Sequence, residues 1–179
     1  HQDMSLKTAK VLILNAGFNF AHSGGKLNTS LTEEAKKYLE SKGHEVKITN
    51  IADGYNIEEE VSKIMWSNVV ILQTPGWWMG LPWGAKKYID EVFAHGVMYR
   101  NDGRTRKDPS KKYGSGGLCQ GRYIMISSTW NAPEESFDDP SQFLVSIPKS
   151  CTAALRASVH HLAVLTLYET SNVYFTTQP

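Results

Sequence analysis

Apolar and polar positions along this chain alternate between short buried runs and amphipathic stretches. Residues 10–16, Lys-Val-Leu-Ile-Leu-Asn-Ala, are almost continuously apolar, the pattern of a strand covered on both faces. A loop follows over 17–25. Then Leu27, Leu31, Ala35 and Leu39 recur every fourth residue and predict a helix, with Ser23 as its N-cap and Gly43 closing it. The unit repeats in kind. Residues 45–51 alternate, with Val46, Ile48 and Ile51 apolar, and read as a second strand. Ile57, Val61, Ile64 and Met65 share one face of a helix over 57–66. Residues 68–74, Asn-Val-Val-Ile-Leu-Gln-Thr, form a third buried strand. Ala85, Tyr88, Ile89, Val92 and Phe93 mark another amphipathic helix, and 122–128, Arg-Tyr-Ile-Met-Ile-Ser-Ser, a fourth strand. Strands alternating with helices predict an α/β fold, a doubly wound parallel sheet with helices on both faces.

The polar 94–121 segment reads as a long loop. Beyond Ser141 the pattern weakens: 152–168 is compatible with a helix and 172–177 with a strand, an order that does not supply a fifth strand followed by a last helix. One domain is expected over 10–179, with an atypical segment from about 144 and an N-terminal extension over 1–9. The opening His1-Gln2-Asp3-Met4 has no signal-peptide core.

Composition narrows the function. The chain has 179 residues, enough for one self-sufficient domain. Nineteen basic and eighteen acidic residues give a net charge of +1, which argues against a dedicated nucleic-acid binder. It also disfavours an electron carrier that docks through an acidic face. Cys119 and Cys151 have neither C-x-x-C nor metal-ligand spacing, and a reduced, cytoplasmic protein is the simpler reading. No stretch of eighteen apolar residues predicts a membrane span.

The candidate chemistry lies in loops. In open parallel sheets ligands bind beyond the carboxyl ends of the strands, and three loops with special residues follow strands: 17–26, 75–83 and 129–133. The first, leading into a helix, suits an anion, because helix N-termini carry unpaired N–H groups and the positive end of the dipole. Gly24 and Gly25 would let a phosphate approach, with His22, Ser23 and Lys26 as donors. It matches neither the Walker A pattern nor G-x-G-x-x-G, and a plain connecting turn stays open beside the phosphate reading. The other two loops are aromatic. Trp77, Trp78 and Trp83 are interleaved with Pro75, Gly76, Gly80 and Pro82, which makes them loop residues and pocket walls rather than core. Phosphate cradle and flat apolar walls together suit a flavin. These loops hold no metal-ligand cluster, and His95 is left without a role. The basic run Arg100 to Lys112 reads first as a solvated loop, and otherwise as an attractor of anionic cofactors, including the 2′-phosphate of NADPH.

At these loops the sequence resembles the modulator of drug activity B proteins, flavin-dependent quinone reductases. The matching runs are Phe20-Ala-His-Ser-Gly-Gly-Lys-Leu27, Pro75-Gly-Trp-Trp-Met-Gly80, Asp102 to Gly117, and Thr129-Trp-Asn-Ala132, within a likeness covering about 10–143. The resemblance implies a flavodoxin-like fold, FAD, NAD(P)H as co-substrate, a quinone acceptor, and a homodimer with the flavin at its interface. By resemblance, Phe20, Ala21, His22, Ser23, Gly24, Gly25, Lys26 and Leu27 hold the FAD phosphates and neighbouring parts of the cofactor. Pro75, Gly76, Trp77 and Trp78, with Thr129, Trp130, Asn131 and Ala132, hold the isoalloxazine, and Tyr113 also contacts FAD. Trp77 and Trp78 would wall the substrate pocket. No side chain is assigned as catalytic acid or base. Leu144–Pro179 depart from the family pattern and read as an altered terminus. The alternatives are an FMN-dependent azo, nitro or flavin reductase, a non-enzymatic flavodoxin-type electron carrier, and a flavin-free regulatory protein.

Overall fold

The computed structural model describes residues 8–98, 101–113, 115–119, 121–133, 136 and 139–142, and the backbone of 166–167 and 171–174. Strands β1 (Lys10–Asn15), β2 (Glu45–Asn50), β3 (Val69–Pro75), β4 (Tyr123–Trp130), β5 (Thr166–Leu167) and β6 (Ser171–Tyr174) form one parallel sheet. Its order is β2-β1-β3-β4-β5, with β6 also on β4. Parallel pairing puts all carboxyl ends at one edge, where the strand order reverses between β1 and β3.

Every residue from Val11 to Ala16 is buried, as the apolar run predicts. Helices α1 (Lys26–Ser41), α2 (Ile57–Trp66) and α3 (Trp83–Tyr88) connect the first four strands. The α3 pattern reads out cleanly: Ala85, Tyr88, Ile89, Val92 and Phe93 are all at most 1% exposed. They pack with Leu12, Leu14, Val70, Leu72 and Ile124, and with Val61 and Ile64 of α2. After Tyr88 this helix widens into a π-turn over Ile89–Phe93, which no periodicity argument distinguishes from regular helix.

Several expectations are corrected. The N-cap of α1 is Gly25, at φ 66°, not Ser23. Ser23 is instead held in a tight turn by reciprocal 2.9 Å backbone hydrogen bonds with Phe20. Gly43 does end the helix: its N–H donates to the Glu40 carbonyl and that of His44 to Leu39, the paired Schellman bonds, with Gly43 left-handed at φ 84°. The α1 residues fully buried are Asn28 and Thr32, while Leu27 is 40% exposed and Leu31, Ala35 and Leu39 are half-buried. Ile51 opens a 3-10 turn rather than closing β2. Trp83 is not a loop residue but the first residue of α3. Thr166 and Leu167, in a stretch compatible with a helix, instead pair with Tyr123 and Ile124, and Ser171–Tyr174 pair with Ser127–Trp130. The fifth sheet position is thus filled in two pieces. The rest of 152–168 and of 172–177 lies outside the described residues.

On the face opposite α1, Tyr88 donates from its hydroxyl to Glu60 (2.7 Å) and Tyr55 to Glu91 (2.6 Å). Burial first, then the neighbouring carboxylates, push both phenols well above their ordinary range. A raised acid binds its proton more tightly in the folded state, so this stability is intact below about pH 10 and declines above it. For Tyr88, with no exposed surface, the slope is about 1.4 kcal/mol per pH unit. Urea midpoints should therefore fall steeply above pH 10, and Tyr88→Phe should flatten that fall; an unchanged slope would exclude Tyr88 as its source.

Candidate active site

A cleft of about 500 Å³ opens at the carboxyl edge of the sheet. One wall is His22 to Asn28, from the loop after β1 and the first turn of α1. The second is Pro75, Gly76 and Trp77, after β3. The third is Thr129, Trp130 and Asn131, where β4 ends. All three loops singled out in the sequence meet here.

The first wall is built to receive negative charge. Helix α1 has no side-chain cap and no acidic residue in its first turn, so among the described residues its leading N–H groups lack acceptors. Lys26 and His22 stand beside them, and among the described residues no carboxylate lines the cleft. Gly25 must be glycine, because its φ is left-handed and a Cβ would stand 3.1 Å from the Gly17 carbonyl carbon and 3.2 Å from the Phe18 nitrogen.

The opposite wall is flat and aromatic. The Trp130 indole lies against the Gly76 backbone, 2.6–2.7 Å from where a Cβ would project, and its Nε1–H donates to Ser128 Oγ at 3.0 Å. Trp77 extends this surface, with Phe20 5.6 Å and Phe18 6.2 Å away between ring centroids. Phe18 also stacks on Trp83 at 6.1 Å and fills the space over Gly84.

Two short hairpins flank the mouth. Trp77 and Gly80 exchange 3.0 Å backbone hydrogen bonds, with Trp78 (φ 44°) and Met79 (φ 66°) at the tip. That turn normally takes Asn-Gly, and left-handed backbone costs a bulky residue roughly 1–2 kcal/mol. The strained turn holds the Trp78 indole 96% exposed. Ala21, at φ 50°, occupies the tip of the neighbouring Phe20–Ser23 turn.

Of the residues singled out in the sequence, His22 to Leu27, Pro75 to Trp77 and Thr129 to Asn131 line the cleft. Phe20, Ala21, Trp78, Ala132 and Tyr113 do not. Phe20 packs its ring 5.6 Å from that of the lining Trp77, and Trp78 is the next residue along the chain. Tyr113, 60% exposed, belongs to a separate loop whose neck is pressed shut at Gly103 and Gly116, where a Cβ on either would fall within 2.1 Å of the other strand of the neck. There Arg104 grips Asp102 through two hydrogen bonds from its guanidinium and one from its backbone N–H, and lies 5.1 Å from the Tyr113 ring centroid. These bonds hold the Asp102 carboxyl below its usual range. His95 is half-buried and its Nδ1 accepts from the Val97 N–H, a local turn contact. Among the described residues no three His, Cys, Asp or Glu side chains come together as a metal site, and no helix is long and apolar enough to cross a membrane.

One lining residue was missed. Asn28, 4% exposed, donates to Thr129 Oγ1 (3.1 Å) and accepts from Gln73 Nε2 (2.9 Å). The available signal was a polar residue at helical spacing from Thr32, which apolar periodicity assigns outward.

Residues 9–162 match the family described by its flavodoxin-like fold. NADPH:quinone oxidoreductase MdaB of Haemophilus influenzae is 48% identical over 135 residues, covering 74% of this chain and 70% of the relative. An uncharacterised protein of Schizosaccharomyces pombe is 48% identical over 136 residues, 75% of this chain and 69% of that one. The structure of an NAD(P)H:quinone oxidoreductase from Methanothermobacter marburgensis superposes with a TM-score of 0.64 at 13% identity, over 93% of this chain and 84% of the other. The chain belongs to the flavodoxin-like fold family, in its branch of modulator of drug activity B quinone reductases.

Proposed function

We propose that this chain is a flavin-dependent NAD(P)H:quinone oxidoreductase that holds FAD in the cleft and works as a homodimer. The observation that carries this reading is the pairing, in one cleft, of an uncapped, cation-flanked helix N-terminus with a flat aromatic wall. The first fits a phosphate and the second a planar ring. Backbone N–H groups from Lys26 to Asn28, with Lys26 and His22, would hold the phosphates. Gly76, Trp77 and Trp130 would set the plane of the ring. The Thr129–Asn131 backbone would face its polar edge and favour negative charge there. When bound, the flavin would supply the two-electron chemistry that carries a hydride equivalent from NAD(P)H to a quinone. Because one position serves both substrates, initial-rate plots should give parallel lines; intersecting lines would reject the shared position.

The mouth supports a second copy. Phe20, Leu27, Trp78 and Trp83 are 40–96% exposed around it, an apolar rim of the kind subunit contacts cover. Tyr113 lies outside its own chain's cleft, so a two-fold mate is the route by which it would meet a flavin. Sedimentation should show a dimer, and a monomer that retains flavin would remove Tyr113 from the site.

The same walls would also accept FMN, since the lining accounts for one phosphate cradle and one ring. Cofactor identity is read by denaturing the purified protein and resolving the released flavin by chromatography. The activity test is spectroscopic: a yellow protein should bleach with NADPH under anaerobic conditions and recover its colour on adding menadione. A colourless chain that takes up no added flavin would overturn the proposal.

A further inference from the structure

Strands β3 and β4 and helix α1, which carry parts of all three cleft walls, are joined beneath it by one chain of buried hydrogen bonds. Gln73 of β3 is 5% exposed and does not line the cleft. Its Nε2 donates to Asn28 Oδ1 (2.9 Å) in the first turn of α1, and Asn28 Nδ2 donates to Thr129 Oγ1 (3.1 Å) at the end of β4. Asn28 and Thr129 are 4% and 5% exposed. An amide in the interior of a parallel sheet is costly unless its groups are bonded, and an apolar residue would satisfy the strand pattern on either side of Gln73. What the amide adds is position: it fixes the Asn28 side chain beside Thr129, whose Oγ1 lies 3.1 Å from Asn28 Nδ2 and 3.3 Å from its Oδ1.

We infer that Gln73 is a positioning residue for the flavin site, setting the spacing between the anion-binding turn of α1 and the ring-binding loop after β4. The inference rests on the flavin reading of the cleft. Gln73 does not line the cleft; it acts through Asn28 and Thr129, each of which lines a different wall. A ligand that spans both walls depends on their spacing. One that uses only the ring wall does not. The role therefore predicts selective damage: loss of Gln73 should penalise a phosphate-bearing flavin more than one lacking phosphate.

The test compares FAD and riboflavin binding to protein freed of its cofactor, by fluorescence quenching. Breaking a buried hydrogen bond and orphaning its partner costs enough to weaken binding about 10- to 100-fold. Gln73→Met should lose that much FAD affinity and about threefold or less for riboflavin, so the FAD-to-riboflavin ratio falls. Combining it with Thr129→Val should add little, because both act on the same chain through Asn28. If Gln73→Met does not fold, Gln73→Asn, which keeps the amide but falls short of Asn28, should show the same fall in ratio. Equal losses for both flavins, or additive effects in the double variant, would overturn the inference by reducing Gln73 to a stability role. A wild-type chain that binds neither flavin would instead refute the reading of the cleft on which it rests.

Discussion

Gly76→Val should cut flavin affinity by about two orders of magnitude while Gly80→Ala, four residues on, leaves it unchanged. The two glycines differ in what lies over them. A Cβ on Gly76 would stand 2.6 Å from the six-membered ring of Trp130, whereas at Gly80 nothing among the described residues lies within 4 Å. Neither has a left-handed φ, so the contrast is one of space, not of backbone strain. At Gly76 the added carbons can be accommodated only by moving the Trp130 indole, and that ring is anchored by its Nε1–H bond to Ser128. The Gly76 backbone cannot retreat either, because its N–H donates to the Thr129 carbonyl at 2.8 Å. Overpacking of this kind costs roughly 1–3 kcal/mol. Because Trp130 is itself a cleft wall, much of that cost should appear in binding, as about 10- to 100-fold in Kd, with the longer Val at the upper end. Titration of apo protein with FAD checks both variants. Equal affinities for Gly76→Val and wild type would mean that the ring does not sit against this wall.

This contrast also marks how far the sequence could be read. The interleaving of Trp77 and Trp78 with Pro75, Gly76 and Gly80 located an aromatic loop, because glycine and proline interrupt periodicity in a way visible locally. The four long parallel strands were legible for a similar reason: a run such as Val11–Leu14, buried on both faces, leaves no room for polar residues. What stayed hidden depends on partners distant in sequence. Gln73 and Asn28 look like polar residues to be turned outward, and only the meeting of β3, α1 and β4 makes them buried hydrogen-bonding partners. The α1 cap moved from Ser23 to Gly25 because Ser23 is committed to Phe20. Neither Trp77 nor Trp78 announces which indole faces the cleft. The Trp77–Gly80 backbone bonds decide it, placing Trp78 at an exposed tip. The pairing of Thr166–Leu167 and Ser171–Tyr174 with β4 was illegible for the same reason, since sheet partners some forty residues apart leave no local trace in so short a strand.

The largest loss of stability should come from Glu60→Ala, far from the cleft chemistry. Glu60 is 1% exposed, and a buried carboxylate persists only when its oxygens are fully engaged. They are: Oε2 accepts from Thr49 Oγ1 at 2.8 Å and from the Tyr88 hydroxyl at 2.7 Å, and Oε1 accepts from Lys63 Nζ at 2.5 Å. Lys63 also donates to Thr49 Oγ1 at 3.1 Å. One side chain thereby ties β2, α2 and α3 together on the face opposite α1. Alanine would take the acceptor from two buried hydroxyls, leaving Thr49 only its bond from Lys63, and would leave Lys63, whose side chain is 29% exposed, beside an empty space it can partly leave by turning to solvent. Removing one member of such a buried set typically costs about 3–5 kcal/mol, a large part of the 5–15 kcal/mol that ordinarily holds a domain folded. The partial escape of Lys63 sets the expectation at about 3 kcal/mol, measured as a shift in the urea midpoint at pH 7. Glu60→Gln keeps the shape and one acceptor and should lose about half as much. The decisive comparison is Glu60→Leu combined with Lys63→Met and Tyr88→Phe, which removes the charges and the phenol together. If the cost of Glu60→Ala is the cost of stranded polar groups, this triple variant should be more stable than the single one, because it strands only Thr49. A triple variant less stable than Glu60→Ala would show instead that the bonds themselves, and not the penalty for breaking them singly, hold these three elements in place.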